Sequence, residues 1–480
     1  MPEAEEQLTP LDATFLELEE GDGSAHMHVG WAMVFAPLPE GGAPTVERVR
    51  ELLDRRLGLL PRFRHRLSSP RIGRLSRPGW VPDVGFDIAN HVRRATLAPP
   101  GGEAELLEWL GDFYSHRLDR AHPLWEMVLL DGFADGGWAI ATKVHHSLVD
   151  GMSGNSVTAV ILDAEPQPEA GSRGVLGALG ELAGPSAAPR GSHGPLGALA
   201  GAARAGVDAA RHPRRELGAL LSRTREISEV LIDELIPAPR TSLNVEIGGG
   251  RRMAAVHTSL DDLKLIKNEL GGTVNDVVLA ATAGGLRRLF EARGESLDAD
   301  ALRAMVPVSV RSASEQLALG NRVSSLFVDL PIAEPDPLLR YRKTVAASQE
   351  LKRTGQSHGG EALVELAGAA PPLLHGAVAR LAFTPRLFNL TITNVPGLQM
   401  SLYALGSPLV RVVPLVPIFA GHALGVAVVS YDGKVTFGIN ADRVEVPDID
   451  VLREGIEASL AELRGLATDA ADGGSARHAA

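Results

Sequence analysis

The segment KVHHSLVDGMSG (143 to 154) places two histidines side by side and an aspartate four residues beyond the second. An imidazole, with an ordinary pKa of about 6.5, takes up and releases protons near neutrality, so this segment suits general-base chemistry. The residues leading into it, GWAIATKVHHS (137 to 147), alternate as a strand does. His145 and His146 are therefore expected to face opposite ways at a strand end, one toward a cavity and one into packing. Diverging rings do not converge on one metal, and the chain holds no HExxH pair, so no metal site is expected. Asp150 and Gly151 carry turn chemistry that would fix the loop holding the base. The same residues also fit an ordinary, fully satisfied strand end with no chemistry at all.

Other residues stand at positions where they could assist. Thr273 and Asp276 have capping-box spacing before VVLAATAGGLRRLFEARG, which explains Asp276 by helix initiation alone. Asn275, in the first turn of that helix, can present its amide near the helix's positive end. Pro123, Leu124 and Trp125 are expected to order the chain rather than react. GQSHG (355 to 359) matches the G-x-S-x-G of serine hydrolases, with Ser357 as nucleophile. A working elbow follows a buried strand, whereas RYRKTVAASQELKRT before it reads as a polar helix, so that match is rejected.

The elements that must position these groups mix strands and helices along a chain of 480 residues, enough for two to four domains. Strands are expected at 28 to 35, 137 to 147, 304 to 311, 322 to 331, 389 to 396, 423 to 430 and 434 to 440, and helical spacing at 46 to 63 and in two tandem helices after Ser259 and Thr273. Val412 to Ser430 lacks Lys, Arg, Asp and Glu over about the length a bilayer needs, yet Pro414, Pro417, Gly421 and Gly425 break it, so it reads as two buried strands. From Pro166 to His193 the chain is rich in Gly, Pro, Ala and Ser, followed by alanine-rich helical sequence ending at IPAPR (236 to 240). That gives a first domain over 1–165, a linker with crossover helices over 166–240, a second domain over 241–465 and a loose tail over 466–480.

Composition narrows the function classes. A net charge of −12 with 4% aromatics argues against a nucleic-acid partner, which needs cations for phosphates and rings for bases. The absence of cysteine removes thiolate nucleophiles, disulfides and cysteine metal sites. The acidic start, MPEAEEQLTPLDATFLELEE, is unlike a secretory signal, so the chain is expected in the cytoplasm.

HHSLVDG fits the HHxxxDG signature of the CoA-dependent acyltransferase superfamily. PLDATFLELE (10 to 19), MHVGWAMVF (27 to 35), PLWEMVLLDG (123 to 132), TVNDVVLAA (273 to 281), VPVSVRS (306 to 312), GNRVSSLFVDLP (320 to 331), TNVPG (393 to 397) and SYDGKVTFGINAD (430 to 442) narrow this further. Together they resemble the bacterial wax ester synthase/diacylglycerol acyltransferase family across essentially the whole chain. The resemblance implies an α/β fold of two chloramphenicol-acetyltransferase-like domains with mixed sheets flanked by helices, a helical crossover linker, and a tunnel between the domains. It makes His146 the base, with His145 as neighbour and support. It turns Asp150 away from substrate toward an arginine, for which Arg311 is the candidate unless that side chain is simply solvated. It raises the ND pair, Asn275 with Asp276, as a site feature. Asn394 and Gly397 then either line the tunnel or only build a turn.

The implied reaction is transfer of a long-chain acyl group from acyl-CoA, as co-substrate, to diacylglycerol or a long-chain alcohol, with no permanently bound cofactor. The alternatives are another alcohol acceptor, or a non-catalytic acyl-CoA-binding protein of the same fold. Substrates this apolar come from lipid, so peripheral association with the inner membrane face or with lipid droplets is expected, with Leu196 to Arg225 as a candidate segment unless that helix simply packs on the body of the protein. Arg251, Arg252, Arg287, Arg288 and Arg386 are candidate partners for CoA phosphates, or else solvated surface.

Overall fold

The computed structural model describes residues 6–68, 78–148, 160–168, 174–175, 237–297, 302–309, 323–354 and 383–478. The chain forms a large compact unit, Met1–Leu179 with Ala238–Ala480, and a separate one, Gly180–Pro237. The large unit contains two six-stranded mixed sheets, which bears out the expected α/β class.

The first sheet runs in the order Tyr403–Ala404, Ser407–Leu415, His28–Phe35, Trp138–His145, Trp125–Asp131, Val92–Thr96. His28–Phe35 alternates strictly: Met33 and Phe35 enter one apolar layer, Ala32 and Val34 the other, so the sheet is covered on both faces. The second sheet runs Val323–Leu330, Leu302–Ser309, Leu390–Pro396, Leu424–Tyr431, Lys434–Asp442, Arg251–Ser259, with the pairings on both sides of Leu390–Pro396 parallel and the rest antiparallel. Val274–Arg293 and Ile449–His478 are neighbouring helices, and they approach closely because Gly284 and Gly285 leave room for Ser459 and Ile456.

The strands expected from alternation occur within two residues of their expected bounds. Val412 to Ser430 falls in the strands Ser407–Leu415 and Leu424–Tyr431 and the turn between them. Among the described residues no helix is long and apolar enough to cross a membrane. Three differences stand out. Helical spacing over 46 to 63 yields a helix only to Arg56, followed by two short 3-10 turns; the second begins at Pro61, whose ring prevents an α-helix from continuing. The loose tail expected from 466 is instead helical to His478, and Ala467 is fully buried. Finally, the hairpin Tyr403–Leu415 comes from the second half of the chain but completes the first sheet, pairing Ser407–Leu415 with His28–Phe35.

Two glycines permit close backbone approaches. A Cβ on Gly30 would overlap the Thr142 carbonyl, the same oxygen that accepts the Tyr114 hydroxyl at 2.9 Å. A Cβ on Gly438 would overlap the Pro414 carbonyl, where the two sheets meet. The linker 166–240, the segment Leu196 to Arg225 and Ser357 lie largely or wholly outside the described residues.

Candidate active site

The strand Trp138–His145 ends where its last amide, that of His145, donates to the Leu124 carbonyl at 3.0 Å. Pro123, Leu124 and Trp125 thus hold the strand end. Trp125 is fully buried and donates its indole N–H to the Phe63 carbonyl at 2.8 Å. The chain then turns, with Leu148 N donating to His145 O, and the amide of His146 donates to the Met27 carbonyl at 2.8 Å.

The helix Pro10–Gly21 forms the other wall. Thr9 and Asp12 close a capping box at its start, and Pro10 sits in its first turn, where a missing N–H costs nothing. Residues four apart share a helix face, so Phe15 and Glu19 project together. Phe15 stacks on the His146 ring with centroids 3.8 Å apart. Glu19, 1% exposed, accepts from His145 Nε2 at 3.0 Å.

Strict alternation sends the two histidines to opposite faces, yet both meet this one helix. The reason is that the strand stops at His145, and His146 belongs to the turn.

His145 can be assigned a tautomer. Its Nδ1 lies 3.1 Å from the Ser147 amide, which can only donate, so Nδ1 is an acceptor and Nε2–H points to Glu19. Burial lowers its pKa, in keeping with this neutral form, although Glu19 pulls upward. For Glu19 burial acts to raise the pKa, but the hydrogen bonds donated by His145 and by Arg117 hold it below the usual carboxylate range. His146 is only half-buried, and its Nδ1 has no hydrogen-bond partner among the described residues. Burial against apolar neighbours lowers its pKa to about 4, so it stands as a neutral acceptor at pH 7. From Phe15 the rings continue to Phe383 at 6.5 Å and from there to Phe419 at 4.7 Å, an apolar run into the second half of the chain.

The remaining expected residues are placed less directly. Asp276 is fully buried and closes the capping box, its Oδ2 accepting from the Thr273 amide and hydroxyl at 2.8 Å each. Asn275 is half-buried at the second position of Val274–Arg293, and its side chain makes no hydrogen bond among the described residues, to either histidine or otherwise. Asn394 lies half-buried on Leu390–Pro396, and Gly397 follows that strand where a Cβ would overlap the Ser430 carbonyl. Asp150, Gly151 and Arg311 lie outside the described residues. Among the described residues no group of three acidic or histidine side chains could hold a metal.

Four of the five arginines considered for CoA phosphates are engaged elsewhere. Arg251 is buried and donates to the Gly248, Gly250 and Ser24 carbonyls. Arg252 binds Asp450 at 3.2 Å, Arg287 binds Glu291 at 2.6 Å, and Arg288 pairs with Glu462. Arg386 alone of the five is exposed with a side chain unpaired among the described residues. Pairing of this kind depends on contacts between distant segments, so arginine doublets in the sequence do not reveal it.

Sequence reasoning did not single out Glu19, Phe15 or Ser147. A signal was present: a capped helix with an acidic residue four positions after a phenylalanine, on the face otherwise carrying Asp12 and Leu16.

Compared with known families, residues 8–278 match the wax ester synthase/diacylglycerol acyltransferase catalytic domain and residues 319–464 the WS/DGAT C-terminal domain. The chain belongs to the wax ester synthase/diacylglycerol acyltransferase family. It is 34% identical over 458 residues to a probable diacylglycerol O-acyltransferase of Mycobacterium tuberculosis, covering 95% of each chain. It is 33% identical over 470 residues to a putative diacylglycerol O-acyltransferase of the same species, covering 95% of this chain and 99% of the relative. The wax ester synthase/diacylglycerol acyltransferase of Marinobacter aquaeolei superposes with a TM-score of 0.69 at 27% identity, over 96% of this chain and 100% of that one. A condensation domain of the calcium-dependent antibiotic synthetase shares the fold, with a TM-score of 0.60 at 16% identity, over 96% of this chain and 97% of that one. As a member of the wax ester synthase/diacylglycerol acyltransferase family, the protein is an acyltransferase enzyme.

The histidines of this family member predict its acid stability. His26, His28, His91, His145 and His422 are buried and His146 half-buried, and burial lowers the pKa of each, to about 4 for His26, His146 and His422. Between an unfolded pKa of about 6.5 and these values the unfolded chain binds more protons. Their contribution to stability is therefore complete above about pH 6.5 and is lost as pH falls toward 4. The urea midpoint is expected to drop already between pH 7 and about 5.5, where carboxylates remain ionised; a flat midpoint over that interval would contradict the burial assigned to these rings.

Proposed function

We propose that this acyltransferase moves a long-chain acyl group from acyl-CoA directly to diacylglycerol, a fatty alcohol or both, with His146 as general base. The observation that carries the reading is the state of His146: neutral at pH 7, stacked on Phe15, with no hydrogen-bond partner for its buried Nδ1 among the described residues. The imidazole takes the proton of the acceptor hydroxyl as its oxygen attacks the thioester carbonyl. The C–O bond forms, the C–S bond breaks, and the imidazolium returns the proton to the departing CoA thiolate. A thioester is already activated, so the remaining demands are to hold both substrates together and to stabilise an oxyanion. His145 supports the base, and Asn275 is the candidate to stabilise the oxyanion. Asp150, Gly151 and Arg311 are assigned to hold the loop after His146, and Asn394 and Gly397 to border the path of the acyl chain. The boundaries at 165 and 241 belong to the same reading, with one acyltransferase-like domain on each side.

The test is an unbiased acceptor screen with palmitoyl-CoA and product identification. Triacylglycerol or wax ester is expected as the main product; exclusive use of an unrelated alcohol would move the protein to a different acceptor class.

The same reading places the enzyme peripherally on a membrane or lipid-droplet surface of the cytoplasm, since its acceptors reside in lipid. Leu196 to Arg225 sets Leu and Val among several arginines and is the segment proposed to touch lipid. Reversing its charges is expected to reduce flotation with anionic liposomes, and equal flotation would clear the segment of that role.

A further inference from the structure

We propose that Glu19 is a positioning residue for acyl transfer: its carboxylate fixes the chain on both sides of His146, through His145 and through Met27, and so sets where the base stands. This rests on His146 being the base. Glu19 Oε2 accepts from His145 Nε2 at 3.0 Å and from the Met27 amide at 3.2 Å. Met27 in turn offers its carbonyl to the His146 amide at 2.8 Å. Glu19, Met27, His146 and His145 thus form a closed ring of contacts, and the base is a member of it. The other carboxylate oxygen is held by Arg117, through Nε at 2.8 Å and Nη2 at 2.7 Å, with Arg120 at 3.6 Å. One turn earlier on the same helix, Phe15 lies against the His146 ring. A single capped helix therefore sets the ring plane with Phe15 and the main chain beneath it with Glu19.

Stability alone is a poor reason to keep a carboxylate here. A buried ion pair is often no better than apolar residues of the same volume, whereas a carboxylate can accept from several donors at once. Three donors converge on Glu19: His145 Nε2–H, the Met27 amide and the Arg117 guanidinium. A glutamine offers one acceptor oxygen and an NH2 group that would oppose one of these donors. Glu19→Gln therefore cannot satisfy the ring and must let His145 or Met27 shift.

Displacing a reacting group by about 1 Å can cost about a hundred-fold in rate. Glu19→Gln is accordingly expected to lower kcat about a hundred-fold per folded molecule, with the KM for acyl-CoA changed less than about threefold. Glu19→Asp, which keeps the charge, should recover part of the loss. A role confined to folding would instead lower soluble yield and melting temperature while leaving kcat of the folded fraction unchanged, and that result would overturn the proposal. If Glu19→Gln does not fold, Arg117→Gln carries the test, because Arg117 is 39% exposed and its loss frees one side of the carboxylate. A several-fold fall in kcat at constant KM is then expected, and an unchanged kcat would overturn the role. His146→Ala measured alongside separates the two levels. Full activity in Glu19→Gln beside an inactive His146→Ala would remove the positioning role alone. Full activity in His146→Ala would remove the base, and this proposal with it.

Discussion

Replacing His146 by alanine is expected to lower kcat by about 10² to 10⁴-fold, the usual contribution of a general base, while the protein remains folded. The Nδ1 of the ring has no hydrogen-bond partner among the described residues, so its removal strands no buried partner there. What is lost structurally is the stack on Phe15, and an aromatic pair of this kind contributes about 0.5–1.5 kcal/mol. Activity should therefore collapse with only a small change in melting temperature. The pH dependence follows from the same environment. A base acts in its unprotonated form, so the rate is lost as pH falls through the pKa of the folded protein, here about 4 rather than 6.5. Between about pH 8 and 5.5 the rate per folded molecule should stay nearly flat, where a solvated imidazole would already have lost most of its activity. A variant within about threefold of the wild type would contradict the assignment of His146.

The largest effect on stability is expected at the Arg56–Asp163 pair. Their side chains are 6% and 4% exposed and meet at 2.6 Å, and Arg56 also donates to the Val160 carbonyl at 2.9 Å. Asp163 exchanges main-chain hydrogen bonds with Tyr403, so it ties residues 160–163 to the hairpin that completes the first sheet. Asp163→Ala removes this carboxylate from beside a buried guanidinium, and breaking a buried pair from one side costs about 3–5 kcal/mol. Replacing both partners with apolar residues of similar volume should restore most of that loss. Urea unfolding of the two variants checks both statements; equal stability of Asp163→Ala and wild type would show that water reaches the pair.

Local signals in the chain carry further for the elements than for the site. Period-two alternation marks the strands His28–Phe35 and Lys434–Asp442, and Ser259 with Asp262 and Thr273 with Asp276 mark helix starts, because these features depend on near neighbours only. The hairpin Tyr403–Leu415 is not among the expected strands apart from its end after Val412, and nothing within it says that its partner is His28–Phe35, more than 370 residues earlier. The site follows the same division. His145 and His146 announce themselves by type and spacing, whereas Glu19 reaches His145 across 126 residues of sequence and is visible only once the helix and strand are packed together. Arg251 illustrates the converse: a basic doublet that reads as surface becomes a buried donor to three carbonyls.

Direct transfer between two substrates bound at once is the center of this account, and a search for an acyl-enzyme tests it most directly. The chain has no cysteine, and its G-x-S-x-G, at Ser357, follows a helix rather than a buried strand. In the proposed mechanism His146, neutral and stacked on Phe15, takes a proton from an incoming hydroxyl. Incubating the enzyme with radiolabelled palmitoyl-CoA in the absence of alcohol, then denaturing it and counting label on the protein, should give no covalent acyl group. The same preparation should transfer label to product once an alcohol is added. Label retained on the denatured protein at one equivalent per chain, and chased into product by alcohol, would contradict direct transfer and require a nucleophile on this chain.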